Sequence, residues 1–264
     1  MFQKNISFQN TDISYAVTGS GKAVMLLHGF AEDSSVFDNQ VNFLKDKFCL
    51  IVPALPGIGK SEMLKKEDVQ LKDYAAILKA IFDEEKLDKF ALIGHSMGGY
   101  IALAYADRYA ETLSGFGLLH SSAYADDEEK IETRRKAISF IKENGTKAFL
   151  KTSIPGLFHD VDKSQKNINT LIEKGNNILP EVLVQQYEAM IARPDTTSIL
   201  KTFSSPILFI MGEHDKAVPF SYGLQQSHLP QFAYVNILRN SAHMGMYEET
   251  EKVNCFLAEF LHSL

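Results

Sequence analysis

The chain has 264 residues, 45% of them hydrophobic and 23% charged, which is an ordinary composition for a globular protein. Its formal net charge is -6 and its acidic and basic side chains are interspersed, so the basic patch of a nucleic-acid-binding protein is missing. No apolar run reaches the roughly 18 residues of a membrane span and no signal-peptide pattern follows Met1, so we expect a cytoplasmic protein with neither a membrane nor a nucleic acid as its partner.

The two cysteines, Cys49 and Cys255, each fall within an element that is predicted to join the core. They lie far apart in the sequence, and we expect two buried free thiols, as a reducing compartment favours.

Strand and helix patterns alternate through the first 122 residues. Residues 6–18 alternate apolar and polar side chains around a short polar stretch, which predicts an antiparallel hairpin. Continuous apolar runs, typical of strands buried on both faces, then occupy residues 23–27, 49–52, 90–93 and 113–119. Helical patterns separate these runs at residues 36–44, 71–87 and 101–109.

From residue 126 to residue 203 only helical patterns are found, including one over residues 126–144 and one over residues 180–192. Alternation resumes with a strand pattern at 206–211, a helix at 222–229, a strand at 234–238 and a closing helix at 253–261. Such alternation favours an α/β fold with a mostly parallel central sheet flanked by helices. We therefore predict a core domain of residues 1–122 and 205–264, with residues 123–204 inserted as a helical cap.

The stretch from Gly94 to Gly99 joins a strand pattern directly to a helix pattern and reads Gly-His-Ser-Met-Gly-Gly. Gly-x-Ser-x-Gly in that context is typical of a sharp turn that presents a nucleophilic serine. Glycines flank the serine because a Cβ atom there would collide with the neighbouring strand or helix. Ser96 is therefore our candidate nucleophile.

A serine hydroxyl needs a base, and the pKa of histidine suits that task near neutral pH. His243 lies in a loop directly after the last strand pattern, at the edge where open α/β sheets place their sites. His120, at the end of another strand, is a weaker alternative. His28 and His95 abut apolar strands and are expected to bond to the backbone. His159, His228 and His262 are expected at the surface, and His214 is expected to point away from the site.

The base needs an acid that orients its ring, and Asp215 follows the strand pattern at 206–211. The order Ser96, Asp215, His243 matches the chain order of one hydrolase architecture. Glu213 stays open as an alternative acid, and a turn-forming or helix-capping role is the structural alternative for Asp215.

Acyl transfer also requires N–H donors for the oxyanion. The N–H of Met97 follows the nucleophile at a predicted helix N-terminus, where the helix dipole adds to its effect. The N–H of Phe30, in the His28-Gly29-Phe30 loop after the strand at 23–27, is the second candidate.

The chain resembles the α/β-hydrolase fold superfamily, because five of its segments fall where that family has its motifs. The segments are residues 28–30, 56–61, 94–99, 212–219 and 243. The resemblance covers nearly the whole chain except residues 123–204, and it implies that Ser96, Asp215 and His243 form a catalytic triad beneath a helical cap. Two departures concern positions without chemistry: Ala54 replaces a frequent aspartate, and the chain has no tryptophan. Serine at the nucleophile position argues against dehalogenase or epoxide-hydrolase chemistry.

The resemblance implies a serine hydrolase of the carboxylesterase class, which cleaves a small carboxylic ester or related acyl substrate through an acyl-enzyme. No metal or organic cofactor is implied. Thioesterases, C–C bond hydrolases, lyases of menaquinone biosynthesis, acyltransferases and cofactor-free perhydrolases use the same triad, and a ligand receptor with slow turnover would also keep it. We expect a largely apolar pocket over Ser96, walled by some of Phe149, Leu157, Phe158 and Met190.

Overall fold

An eight-stranded sheet runs through the computed structural model, which describes residues 2–264. The strands are β1 (Phe2–Phe8), β2 (Thr11–Thr18), β3 (Ala23–Leu27), β4 (Cys49–Pro53), β5 (Phe90–His95), β6 (Leu113–Leu119), β7 (Ile207–Gly212) and β8 (Ala233–Leu238). Their order across the sheet is β1-β2-β4-β3-β5-β6-β7-β8. β2 pairs antiparallel with β1 and β4, and all other pairs are parallel, which confirms the predicted mostly parallel sheet.

Ten α-helices connect or follow the strands in the described part of the chain. They are α1 (Asp38–Leu44), α2 (Leu71–Glu84), α3 (Met97–Tyr109), α4 (Glu128–Ser153), α5 (Val161–Gly175), α6 (Pro180–Ile191), α7 (Thr197–Thr202), α8 (Phe220–Ser227), α9 (Gly245–Glu248) and α10 (Thr250–Ser263). Helix α1 packs on α10 and α2 packs on α3. Short 3-10 turns occupy Ser34–Phe37, Ala110–Thr112 and Ile154–Leu157.

The central strands form the core because their side chains are apolar on both faces of the sheet. Every residue of β5 and β7 is buried, as expected for parallel strands covered by helices on both sides. Strand β8 is the last strand of the sheet, so Tyr234, Val235 and Ile237 stay between 38% and 43% exposed. Because β3, β5, β7 and β8 are parallel, the loops after their carboxyl ends meet at one edge of the sheet.

Four helices, α4 to α7, lie between β6 and β7, and no strand occurs in residues 120–206. The predicted end of the helix at residue 144 agrees with the structure, because α4 consists of two helical segments that meet at a non-helical Gly145. Gly145 has φ 77° and ψ 169°, a backbone conformation that glycine adopts without strain, and the helix changes direction there. Asp127 caps the start of α4 by accepting a hydrogen bond from the Lys130 N–H.

The prediction of two buried cysteines is wrong in part. Cys49, at the start of β4, is half-buried, and Cys255 is exposed on α10. A helical period shows that one face is apolar, but a small side chain such as cysteine fits either face. Within residues 2–264, no helix combines the length and the apolar character that crossing a bilayer requires.

Candidate active site

The turn between β5 and α3 holds Ser96 in a strained conformation. Its φ is 51° and its ψ is -116°, a region that non-glycine residues rarely occupy. A Cβ atom on Gly98 would stand 2.5 Å from the carbonyl oxygen of Leu27, and one on Gly94 would stand 2.2 Å from the backbone of Gly98. The two glycines therefore allow strand and helix to approach closely enough for the turn to close.

The structure brings Ser96 and His243 into hydrogen-bond contact. The Ser96 Oγ lies 2.9 Å from His243 Nε2, and the opposite ring nitrogen, Nδ1, lies 2.8 Å from Asp215 Oδ2. A carboxylate only accepts hydrogen bonds, so Nδ1 carries the proton and Nε2 is left to accept from the serine hydroxyl. This tautomer is the one that a base for Ser96 requires.

Asp215 is a buried carboxylate with donors on both oxygens. Its Oδ1 accepts hydrogen bonds of 2.9 Å from the N–H groups of Ala217 and Val218, and its Oδ2 accepts from His243. Burial alone would raise the pKa of Asp215, but the charge of His243 and the surrounding donors outweigh it and hold that pKa well below its usual range. Asp215 therefore stays ionised and can stabilise a positive charge on His243.

The other acid and base candidates lie elsewhere. Glu213 is exposed and makes no hydrogen bond to His243, so the structure favours Asp215 as its partner. His214 is also exposed, and its ring stacks on His159 with 3.7 Å between centroids. His28 bonds to the backbone as expected, accepting from the Leu55 N–H at 3.0 Å.

His120, the weaker base candidate, lies behind Asp215. Its Nε2 accepts from the Gly245 N–H at 3.2 Å, so the proton of the neutral ring is on Nδ1. Nδ1 is 3.4 Å from Asp215 Oδ2, close enough for attraction although the hydrogen bond is poorly aligned. Burial lowers the pKa of His120 to about 4, against the opposing effect of Asp215, so the ring is neutral at pH 7.

A second buried pair, Glu32 and His95, lies beside this group. Glu32 Oε2 accepts from the Gly29 N–H at 2.6 Å and lies 3.0 Å from His95 Nδ1. The other ring nitrogen of His95 lies 2.9 Å from the carbonyl oxygen of His243. Both partners of His95 are acceptors, so both of its nitrogens carry protons and the ring is an imidazolium.

The Glu32–His95 pair therefore ties the loop after β3 to the loop that carries His243. The sequence analysis expected a backbone bond for His95 and did not single out Glu32. No local pattern identifies this carboxylate, because its partners come from two other loops.

The two predicted oxyanion donors are available. Within residues 2–264, neither the Phe30 N–H nor the Met97 N–H donates a hydrogen bond to another group. Met97 is the first residue of α3, where the helix dipole favours negative charge. The Ser121 hydroxyl donates a 2.7 Å hydrogen bond to the Ser96 carbonyl and so stabilises the turn between β5 and α3.

A cavity of about 170 Å³ opens onto Ser96 and His243. Phe149, Leu157 and Met190 line it, as predicted, but Phe158 does not. The Phe158 ring is buried against Tyr247 instead, with 6.4 Å between centroids. A larger groove of about 820 Å³, between residues 63–70 and α6, includes none of the three hydrogen-bonded residues.

The cavity residues that the sequence analysis missed include Tyr100, Lys130, Arg134 and Tyr187. The rings of Phe30 and Tyr187 pack at 4.1 Å between centroids, so the loop after β3 contacts α6 directly. Helical periodicity places such residues on a face of α3, α4 or α6. It does not show which other element that face meets.

His120, Asp215 and His243 are close enough together for a metal-ligand arrangement. However, Nδ1 of His120 and Nδ1 of His243 both carry protons, for the reasons given above, and both face the same carboxylate oxygen. A protonated nitrogen offers no lone pair to a cation, so this arrangement suits a hydrogen-bonded carboxylate rather than a metal site.

Known proteins resemble this chain in sequence and in fold. Residues 22–142 match the family model for the alpha/beta hydrolase fold. The chain is 26% identical to the pimeloyl-[acyl-carrier protein] methyl ester esterase of Legionella pneumophila strain Lens, covering 92% of this chain and 96% of that protein. It is 28% identical to a putative 2-succinyl-6-hydroxy-2,4-cyclohexadiene-1-carboxylate synthase of Bacillus subtilis, covering 96% of each.

Among solved structures, a thermophilic esterase from Thermogutta terrifontis superposes with a TM-score of 0.90 at 27% identity, covering 100% of this chain and 99% of that one. The chain has the α/β-hydrolase fold, and the proteins that it resembles are α/β hydrolases. It is an enzyme of the α/β-hydrolase type, related to esterases.

Proposed function

We propose that this protein is a serine hydrolase that cleaves a small carboxylic ester or a related acyl compound. The observation that carries the proposal is the chain of hydrogen bonds from Ser96 through His243 to Asp215, beside a cavity that Phe30, Ser96 and His243 line. The esterases among the related proteins support an ester as the substrate.

In the proposed mechanism, Ser96 Oγ attacks the acyl carbon while His243 Nε2 removes its proton. The N–H groups of Phe30 and Met97 stabilise the oxyanion, and each such donor typically contributes about 3–4 kcal/mol. His243 then protonates the leaving alcohol, and Asp215 stabilises the imidazolium that forms in between. Water, activated by the same histidine, hydrolyses the acyl-enzyme.

We further propose that residues 123–204 act as the cap over this site. Two contacts between this segment and the core support that role. The Leu157 carbonyl accepts a 2.9 Å hydrogen bond from the His243 N–H, and Lys130 Nζ donates one of 2.9 Å to the Ala217 carbonyl. The cap thereby contacts the loops of both the base and the acid.

The test is covalent labelling with a fluorophosphonate, which reacts with an activated serine. We expect labelling of Ser96 alone, and its loss in Ser96→Ala and in His243→Ala. Because the residues share one step, the double variant should be little worse than either single variant in ester turnover. Labelling at another residue, or losses that multiply in the double variant, would overturn the assignment.

A panel of substrates then separates the reaction types that share this site. Short-chain esters, thioesters and a substrate for C–C bond hydrolysis are compared at equal concentration. Ester turnover that disappears in Ser96→Ala supports the proposal. Turnover of only the C–C substrate would assign the site to that chemistry, and labelling without turnover of any compound would indicate a receptor or an untested reaction.

A further inference from the structure

Lys130, on the first turn of α4, is a cation at the junction of two cavities. It lines the cavity above Ser96 and also a neighbouring recess of about 290 Å³. Its side chain is half-buried, and its Nζ donates to the carbonyl oxygen of Ala217, two residues after Asp215. An ammonium has three N–H donors, so this one contact leaves donors available.

No carboxylate within residues 2–264 lies within 4.0 Å of the Lys130 ammonium. Burial lowers the pKa of Lys130, and the charge of Arg134 lowers it further, while Asp126 and Asp215 raise it. A partly desolvated cation without a paired anion is unfavourable unless something supplies the opposite charge.

Asp126, one of the two acids whose charge acts on Lys130, is already shared between two arginines. Asp126 accepts from Arg134 Nε at 2.6 Å and from Arg193 at 2.8 Å. Arg134 also lines the cavity above Ser96, one helical turn after Lys130, and its remaining close contact there is the Met190 sulfur at 3.4 Å. Asp126 therefore pairs with two arginines and does not pair with Lys130.

The other acids nearby do not neutralise the positive charge of Lys130 and Arg134 inside the cavity. Glu32 lines the cavity but is paired with the His95 imidazolium. Asp127 and Glu129 line the outer recess, together with Lys216, and all three are exposed. The inner cavity therefore carries an excess of positive charge close to the reacting serine.

We propose that Lys130, together with Arg134, binds a carboxylate that the substrate carries in addition to the acyl group that Ser96 attacks. This inference rests on the proposed function and specifies its substrate class, namely carboxylate-bearing esters such as monoesters of dicarboxylic acids. The competing explanation is that Lys130 only fastens α4 to the loop after Asp215.

Matched substrates distinguish the two explanations. On the acyl side, 4-nitrophenyl hydrogen adipate is compared with 4-nitrophenyl hexanoate, which has the same chain without the terminal carboxylate. On the alcohol side, 4-(butanoyloxy)benzoate is compared with 4-methylphenyl butanoate. In at least one pair, the ratio of kcat/KM values, anionic over neutral, should fall about tenfold or more in Lys130→Met, because a charge-assisted hydrogen bond is lost.

Lys130→Glu should reduce that ratio further, since it replaces attraction by repulsion. Lys136→Met is the matched control, because Lys136 lies on the same helix with a side chain that is 76% exposed. It should leave the ratio unchanged. A ratio that is the same in wild type, Lys130→Met and Lys130→Glu for both pairs would overturn the subsite and leave the fastening role.

A binding measurement separates this inference from the proposed function. Monomethyl adipate and methyl hexanoate are titrated by calorimetry into Ser96→Ala and into Ser96→Ala/Lys130→Met. Tighter binding of monomethyl adipate that is lost with Lys130 supports the subsite even if no ester is turned over. Equal binding of the two esters, with neutral esters still hydrolysed by the wild type, would refute the subsite while the hydrolase proposal stands.

Discussion

Replacing Glu32 by glutamine tests the buried pair that links the loop after β3 to the loop of His243. One oxygen of Glu32 accepts from both Gly29 and His95. A glutamine oxygen in that position would leave the His95 imidazolium without a counter-charge, and a glutamine NH₂ there would face the Gly29 N–H. The amide therefore cannot replace both contacts, and we expect Glu32→Gln to be destabilised.

The expected loss of stability follows from the burial of both partners, since Glu32 is 5% exposed and His95 is 0% exposed. Removing one partner of a buried ion pair typically costs about 3–5 kcal/mol, and loss of a proton from His95 limits the cost to the lower end, about 3 kcal/mol. An unfolding entropy of about 2.1 cal/mol/K per residue gives about 0.55 kcal/mol/K for 264 residues. The expected decrease in Tm at pH 5.5 is therefore about 5 °C.

The pH dependence gives a sharper test. Burial alone would raise the pKa of Glu32, but His95 lowers it below its usual range, so its contribution is present above about pH 4.5 and is lost at lower pH. Burial alone would lower the pKa of His95, but Glu32 raises it, so its contribution is complete below about pH 6.5 and is lost as the pH rises through the raised value. The pair therefore stabilises the fold most between about pH 4.5 and 6.5.

Calorimetric melting of wild type and Glu32→Gln at pH 5.5 and pH 8.5 measures this effect. The difference in stability should shrink by up to about 1.4 kcal/mol per pH unit above pH 6.5. Glu259→Gln, at an exposed position of α10, controls for loss of one negative charge. Equal stability of wild type and Glu32→Gln at pH 5.5, or a difference that is the same at both pH values, would refute an ionised pair.

Three further substitutions test the site and the turn. Asp215→Asn should lower kcat by up to about 10⁴-fold, because an amide can select the wrong tautomer of the base, whereas the exposed Glu213→Gln should have little effect in the same ester assay. Phe149→Ala should shift the preferred acyl chain length, with about 1–3 kcal/mol at stake per methylene, and Phe158→Ala should not, since only Phe149 lines the cavity. Gly98→Ala should lower the free energy of unfolding in urea by about 3 kcal/mol, because its methyl group would overlap backbone oxygens.

Each of these expectations has a contrary outcome. Equal losses for the two acid variants would remove the special role of Asp215. A chain-length profile that Phe149→Ala leaves unchanged would place the acyl group elsewhere. Gly156→Ala is the reference for Gly98→Ala, because a Cβ atom on Gly156 meets nothing within 4 Å. Equal stability of the two glycine variants would contradict the steric argument.

The sequence determined the central sheet almost completely. The predicted strands at 23–27 and 113–119 agree with β3 and β6 to the residue. Such runs are recognisable because a strand buried on both faces must be apolar at every position. Where the decisive property was not a local pattern, the prediction was weaker: Cys255 was expected to be buried and is exposed.

The sequence also indicated Ser96, Asp215 and His243 as one group, because each follows a strand of a parallel sheet and such strands end at one edge. Their catalytic role stays a prediction. The tertiary structure alone decided their atomic contacts and the choice of Asp215 over Glu213, since adjacent loop residues point in different directions.

The partners of Glu32, His95 and Lys130 likewise depended on tertiary structure. Each of these charged groups meets atoms at least 60 positions away in the sequence, on loops or helices that only the packed fold brings together. Their state of charge depends on burial and on those distant partners, neither of which a local pattern contains. The sequence determines where strands and turns form, and the packing of residues 123–204 on the rest of the chain decides which charges face the cavity.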